Sequence, residues 1–426
     1  MIDMNKMEEL NARNIKDSLC KEDEILIHCA RVNMSPERYE VLKNLLAEAP
    51  DWDLLFEKAN YQRLGCMISH HLRSEDLSAF VPQLLLQKLH NIYYSSLVRN
   101  MLLQNDLSQL LSSFYQEGIP NIVLKGAAML GNVYQDISLR PMSDLDILVH
   151  PDHLDQAVDI ALRHGYSHIH TPHAQEIARE KLRHLATMIN HEKRIILEIH
   201  QHIEDVDSAY HFDLHKFWNR AQHVNISGAD TLILAPEDLL IHLSLNFIRD
   251  RHYDSRNAIG QLCDISEVIT YFSESLNWNL LETTAKELGI EPTLHCALYI
   301  CKQLLGTDVP ANVLSRIQPS GFNRSIITLF INRRILDTRE WVLLDWIAPI
   351  NKYSLYGALQ AIIYRTFYIP KKVFQENGSR RRKLTHYTGL LGYMVPKLIK
   401  SLLKPSGLRE DLVLDRWLHD LYRSNT

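Results

Sequence analysis

Three acidic residues carry the chemistry this chain can offer. Asp144 and Asp146 lie in the run Asp144-Leu145-Asp146-Ile147-Leu148-Val149, and Glu198 lies in Arg194 to His202, RIILEIHQH. On a strand, residues two apart share a face. Asp144 and Asp146 are therefore neighbours, with Leu145, Ile147 and Val149 opposite them. In the later run, Ile195, Leu197 and Ile199 share one face, and Ile196, Glu198 and His200 the other. Two adjacent carboxylates repel, and burying them without a partner costs several kcal/mol. A hard divalent cation relieves that cost. Magnesium takes carboxylate oxygens and keeps positions for water or phosphate.

The elements around these acids must bring them together. The stretch Asn121 to His150 opens with the apolar run Ile122-Val123-Leu124, turns through Lys125-Gly126 into the start of a helix, and closes on the Asp-rich strand. A polar hairpin turn, Asn190-His191-Glu192-Lys193, joins the Glu198 strand to a partner strand over Ala186-Thr187-Met188-Ile189. Between them, Pro151 to His164 reads as a helix with Leu154, Ala157, Val158, Ala161 and Leu162 on its apolar face. Gly165 caps it, and Tyr166 to Ile169 forms a short strand. Strands mixed with helices make this an α+β core.

The flanks read as helices. Ser35 caps a helix that starts at Pro36, and Asp51 opens another, with Leu54, Leu55, Ala59 and Leu64 on one face. A long pattern from Pro82 to Tyr115 places Leu86, Leu89, Tyr93 and Leu97 on one stripe, continued by Leu103, Leu107, Leu110 and Phe114. It is one long helix or two with a kink, ended by Gly118 and Pro120. This region reads as a support with no catalytic constellation, and the adjacent His70 and His71 are placed on the surface. From Phe212 onward helices return. One opens at Pro236 and carries His242 and Asn246 on one face; others run from Asn257 to Phe272, Leu280 to Leu305 and Gly357 to Tyr368. The expected divisions are a helical region over 1–118, the core over 119–205, a helical domain over 206–370 and a basic tail with helices over 371–426.

Composition bounds the class. The chain has 426 residues, 46% hydrophobic and 23% charged, enough for a large core and more than one domain. A net charge of -5 removes bulk basicity as an argument for nucleic acid. The six cysteines show neither CxxC nor zinc spacing and read as buried thiols of a reducing compartment. The first residues lack the apolar core of a signal peptide, and no uncharged run is long enough to span a membrane, so the expected location is cytoplasmic. The tail holds Lys371, Lys372, Arg380 to Lys383, Lys397, Lys400 and Lys404 against the single acid Glu376. It is either a solvated segment or a contact for a membrane surface or another polyanion.

These residues together resemble a known family. Lys125-Gly126-Ala127-Ala128, then Arg140-Pro141-Met142-Ser143-Asp144-Leu145-Asp146, then Glu198-Ile199-His200, is similar to the nucleotidyltransferases of the DNA polymerase β superfamily. The likeness is closest to a bacterial group labelled uncharacterised nucleotidyltransferase. It covers about Asn121 to His202 and extends more weakly through Leu234 to Leu243 and to Asp264. The resemblance implies a small mixed sheet flanked by helices and three acids, Asp144, Asp146 and Glu198, that bind two magnesium ions. It implies a phosphate turn at Gly126 and a nucleotide site that includes Lys125, Arg140 and Ser143. Two departures stand out: Ala127 replaces a Ser or Gly of the phosphate turn, and Ser143 replaces a Gly before the acids. The implied activity is transfer of an NMP group from an NTP, such as ATP, to a hydroxyl acceptor, with release of pyrophosphate.

Several roles stay open at this level. Lys125 either neutralises phosphate or sits on the surface. Arg140 either pairs with the Asp cluster or contacts nucleotide. His200 reads as a core histidine, and His242 and Asn246 as helix-packing polar residues. Replacing either aspartate by asparagine is expected to relieve repulsion and leave folding intact. The alternative function is a non-catalytic protein that keeps the fold and binds a nucleotide or a partner; retention of all three acids argues against it. A nucleic-acid-modifying enzyme that uses the basic tail is a third reading.

Overall fold

The computed structural model describes residues 19–205, 208, 210, 212–251 and 256–337, with five positions between 413 and 421. The expected helix from Gly357 to Tyr368 and the basic residues of the tail, Lys371 to Lys404, lie outside the described residues. The chain divides into two compact units. The larger holds the described residues within Ile15–Phe247 and Asn257–Phe322; the smaller holds those within Ile248–Arg256 and Asn323–Tyr422. All the site residues above belong to the larger unit.

The N-terminal flank is helical: α1 Lys21–Cys29, α2 Pro36–Ala47, α3 Trp52–Tyr61, α4 Gly65–His71, α5 Glu75–Ser78 and α6 Gln83–Gln116. Ser35 and Asp51 cap α2 and α3 as their sequences dictate, each accepting from backbone N–H groups of the first turn. His71 is not a surface residue. It is half-buried, and its Nε2 bonds the Arg31 carbonyl at 2.7 Å. The six cysteines are all free thiols, five of them buried.

The sheet has seven strands: β1 Asn121–Val123, β2 Asp144–Val149, β3 Ser167–His168, β4 Met188–Asn190, β5 Ile195–His200, β6 Gln222–Ile226 and β7 Ala229–Ile233. Their order is β3-β4-β5-β2-β1-β7-β6. Strand β2 lies between β1, antiparallel to it, and β5, parallel to it. The hairpin of β4 and β5 forms where the polar turn places it. With helices on its flanks, the protein is an α+β fold with a mixed sheet.

The pair β6 and β7 contradicts the expectation that helices alone follow Phe212. β7 pairs with β1 in parallel and carries β6 on its outer side. The signal was present but weak. Ser227 and Gly228 both adopt left-handed φ, 51° and 89°, the conformation that two-residue hairpins require. The polar, mostly exposed β6 hides the alternation expected of a strand.

Helix α7 Lys125–Met129 follows β1, and α8 Leu154–Arg163 follows β2. On α8, Ile160 is buried and Leu162 is 43% exposed, so the apolar face turns away from Leu162. α9 Pro172–Lys181 and α10 Leu214–Arg220 complete the sheet region. α11 Pro236–Asp250, α12 Ala258–Tyr271, α13 Trp278–Leu288 and α14 Glu291–Leu305 follow it.

The 34-residue α6 is one continuous helix, and its middle is polar where the sequence pattern suggested leucine. Leu85, Leu89 and Tyr93 are buried, then Ser96 and Asn100, then Leu103, Leu107, Leu110 and Phe114. The reason is the segment that enters β2, which presents backbone groups to this face. Tyr93 Oη donates to Asp136 at 2.6 Å, and Ser96 Oγ to the Ser138 carbonyl at 2.8 Å. Asn100 Nδ2 donates to the carbonyls of Ile137 at 2.5 Å and Arg140 at 2.9 Å, while its Oδ1 accepts from Met142 N at 3.3 Å. Arg99 Nη2 bonds the carbonyls of Ser143 at 3.1 Å and Arg194 at 2.8 Å, the residues just before β2 and β5. The helical support thus fixes where both acidic strands begin.

Replacing Asn100 by Ala leaves two carbonyls and one N–H without their buried partner. The expected loss of stability is about 3 kcal/mol, read as a lower urea midpoint with unchanged slope. A loss below about 1 kcal/mol, the worth of a single ordinary hydrogen bond, would show that the segment does not depend on this clamp.

Candidate functional site

Strand register brings the acids together. Asp146 on β2 is the direct partner of Glu198 on β5, and Asp144 lies opposite Ile196 two residues earlier on the same face. His200, opposite Leu148, completes that face. Oxygens of Asp146 and Glu198 and a nitrogen of His200 all lie within 4.8 Å of one another. A set of two carboxylates and an imidazole, with Asp144 beside it, fits a divalent cation.

Lys125 provides a cation from the protein itself. Its Nζ lies 2.5 Å from Asp146 Oδ1 and 3.8 Å from Glu198 Oε2. Of the two roles open from sequence, a free surface lysine does not describe this position: the ammonium lies against the acids and balances their charge. Its backbone is left-handed, φ 48°, a conformation a non-glycine residue adopts at a cost on the order of 1–3 kcal/mol. The Lys125 ion pairs help hold it there.

His200 is fully buried, as a core histidine would be, yet it belongs to the cluster. Its Nε2 sits 2.9 Å from Asp146 Oδ1 and 3.7 Å from Glu198 Oε2. The signal in sequence was the Glu-x-His spacing, which puts both side chains on one strand face. His184 escaped the sequence reading altogether. It forms an isolated bridge with His200, donates from Nδ1 to the Leu185 carbonyl at 2.7 Å, and presents Nε2 3.8 Å from Glu198 Oε2.

The charges pull the carboxyls apart. Burial pushes Asp146 upward, but Lys125 and the His200 hydrogen bond outweigh it and hold Asp146 far below the usual carboxylate range. Burial acts on Glu198 likewise, and His200, Lys125 and His184 hold it down. Asp144 goes the other way: burial and the Asp146 charge raise it more than Lys125 lowers it. Lys125 itself is raised, because the three carboxylates overcome the burial that lowers it. Ser143 Oγ donates to Asp144 Oδ1 at 3.0 Å, so the Ser that departs from the family's Gly binds an acid directly.

Arg140 does not pair with the Asp cluster. It forms a fork with Asp264 of α12, Nε to Oδ1 at 2.9 Å and Nη2 to Oδ2 at 2.8 Å. Tyr134 Oη donates to the same Asp264 Oδ1 at 2.8 Å. Gly126 is buried against this arginine. A Cβ on Gly126 would lie 2.0 Å from Arg140 Nη1 and 2.8 Å from Met142 Sδ, so only glycine fits without a shift. The helix that begins at Lys125 has five residues, too few to supply a strong N-terminal field. His242 and Asn246 are both buried on α11.

Carboxylates able to hold a cation, set beside a lysine and an arginine, are the equipment of phosphate-group transfer. Residues 48–306 match the family described as uncharacterised nucleotidyltransferase. That span exceeds half of the 426-residue chain, and the protein belongs to this nucleotidyltransferase family. No curated protein and no solved structure matches it. The matched span takes in α6 on one side of the sheet region and α11 to α14 on the other, well beyond the stretch from Asn121 to His202 that carries the motifs.

Two results follow for the metal-free protein. Asp146 is stabilised by its partners, so Asp146→Asn should cost about 3 kcal/mol, the scale for breaking a buried ion pair. Asp144 is destabilised by its neighbours, so Asp144→Asn should raise the denaturation midpoint. The relief expected at both positions is therefore predicted for Asp144 alone. The pH dependence has a definite sign. Asp146 and Glu198 are depressed, so their contribution is full above about pH 4 and is lost as pH falls further. In Lys125→Met the carboxyls lose their counterion and rise; stability should then increase more steeply as pH falls from 7 toward 4 than in the wild type, where Asp146 and Glu198 contribute no change over that range. Parallel pH profiles for the two proteins, measured by thermal melting, would refute this account of the cluster.

Proposed function

We propose that this chain transfers a nucleoside monophosphate from an NTP to a hydroxyl acceptor and releases pyrophosphate. Asp144, Asp146 and Glu198 would hold magnesium, two ions by analogy with the resembled superfamily, with His200 beside them. Bound there, magnesium would neutralise phosphate charge and lower the pKa of the acceptor hydroxyl. The observation that carries the reading is the register pairing of Asp146 with Glu198 on one face of adjacent parallel strands, in a chain of nucleotidyltransferase family.

The chain's own residues divide the remaining work. Lys125, the protein's cation at the cluster, would meet incoming phosphate as well as the acids. Arg140 and the Gly126 turn adjoin it. His200 and Ser143 hold Asp146 and Asp144 in place. Glu198 Oε2 lies 3.7 to 3.8 Å from His200, Lys125 and His184, and it would take the proton of the acceptor hydroxyl. The acceptor oxygen then bonds to the α-phosphorus as the bond from that phosphorus to the pyrophosphate oxygen breaks, and pyrophosphate leaves with the electron pair.

Incubation with each α-labelled NTP, magnesium and candidate acceptors, small molecule, protein or RNA, tests the reading by label transfer. Asp146→Asn and Glu198→Gln should each lower transfer by about 10³-fold or more, and the Asp144→Asn, Asp146→Asn double variant should be little worse than either single one. Transfer at wild-type rates by folded single variants would dismiss the mechanism.

A further inference from the structure

The fork between Arg140 and Asp264 leaves one edge of the guanidinium unused. Nε and Nη2 are spent on the carboxylate, and Nη1 makes no hydrogen bond among the described residues. That nitrogen packs over Gly126, next to Lys125, in the space that a side chain on Gly126 would fill. The Arg140 side chain is 18% exposed, while Asp264 is 4% exposed, so the carboxylate anchor is the more deeply buried partner. Asp264 is itself fixed by Tyr134. A guanidinium presents its donors in a rigid plane, so fixing one edge fixes the direction of the other.

We propose that Asp264 is a positioning residue that aims the free Nη1 edge of Arg140 across Gly126 to bind the pyrophosphate portion of the nucleotide. This inference rests on the nucleotidyl-transfer reading and extends it. It gives α12, which contributes none of the acids, a part in substrate binding. The charge balance supports it: Lys125 is engaged with Asp146 and Glu198, whereas Arg140 has both of its bonds to one acid and a donor edge left over.

The test is calorimetry on the full-length protein with two probes, inorganic pyrophosphate with magnesium and manganese ion alone. Asp264→Asn should let the guanidinium swing, and Gly126→Ala should push Nη1 aside while keeping the buried ion pair. Each should weaken pyrophosphate binding by about 10-fold or more, the worth of one or two charge-assisted hydrogen bonds. Manganese binding at the acids should stay within about twofold, a change of less than half a kcal/mol. Gly126→Ala keeps the test decisive if Asp264→Asn does not fold. Pyrophosphate affinity equal to wild type in a folded variant overturns the inference, as does equal loss of both probes, which would mark a merely structural role. A wild type that binds no pyrophosphate overturns it too. Pyrophosphate binding lost in both variants supports the subsite even where no nucleotide is transferred, which separates this proposal from the transferase reading.

Discussion

The pairing of Lys125 with Asp146 is the constraint around which the larger unit is arranged. Three carboxyls from two adjacent strands converge on a half-buried face, and the repulsion among them would oppose folding. Lys125 supplies the opposite charge at 2.5 Å from inside the protein, from a backbone position that is itself unfavourable. The strained turn, the buried acids and the fully buried His200 thus support one another. A cluster balanced by a lysine carries its own counterion.

Around that centre, the fold fixes geometry through backbone contacts more than through apolar packing. Arg99 and Asn100 belong to a helix that contributes nothing to the acidic face, yet they bond the carbonyls on either side of Arg140 and at the starts of β2 and β5. A shift of one residue in either strand would turn every acid toward the opposite face. The long helix guards against that slip by holding both strand entrances at once. The same segment, Asp136 to Ser143, carries Arg140 toward Asp264, so α6 and α12 grip it from two sides. Both helices lie within the matched span, 48–306, outside the strands.

Much of this was legible in the sequence. Alternation in Asp144 to Val149 and Ile195 to His200 defined both strands and the face each acid takes. The polar turn after Asn190 set the hairpin, and Ser35, Asp51 and Gly165 ended or began helices where their side chains or backbone freedom require. The acidic site, the α+β class and the single nucleotidyltransferase likeness all follow from local pattern. What sequence reading missed shares one cause: the β6 and β7 hairpin, the polar stripe of Ser96 and Asn100, the membership of His184 and His200, and the partner of Arg140 all depend on contacts between distant segments. Leucine at helical spacing looks like core until the neighbouring loop presents carbonyls.

The sequence by itself therefore determined which residues are acids, which faces they occupy and which elements carry them, because period and capping are local properties of the chain. Only the tertiary structure decided that Asp146 pairs in register with Glu198, that Lys125 is their counterion, and that Asp264, 124 residues beyond Arg140, is what the arginine grips. The reason is physical. A charge settles on the partner that folding places within hydrogen-bond reach, and that choice is made by the packing of the whole unit, not by spacing along the chain.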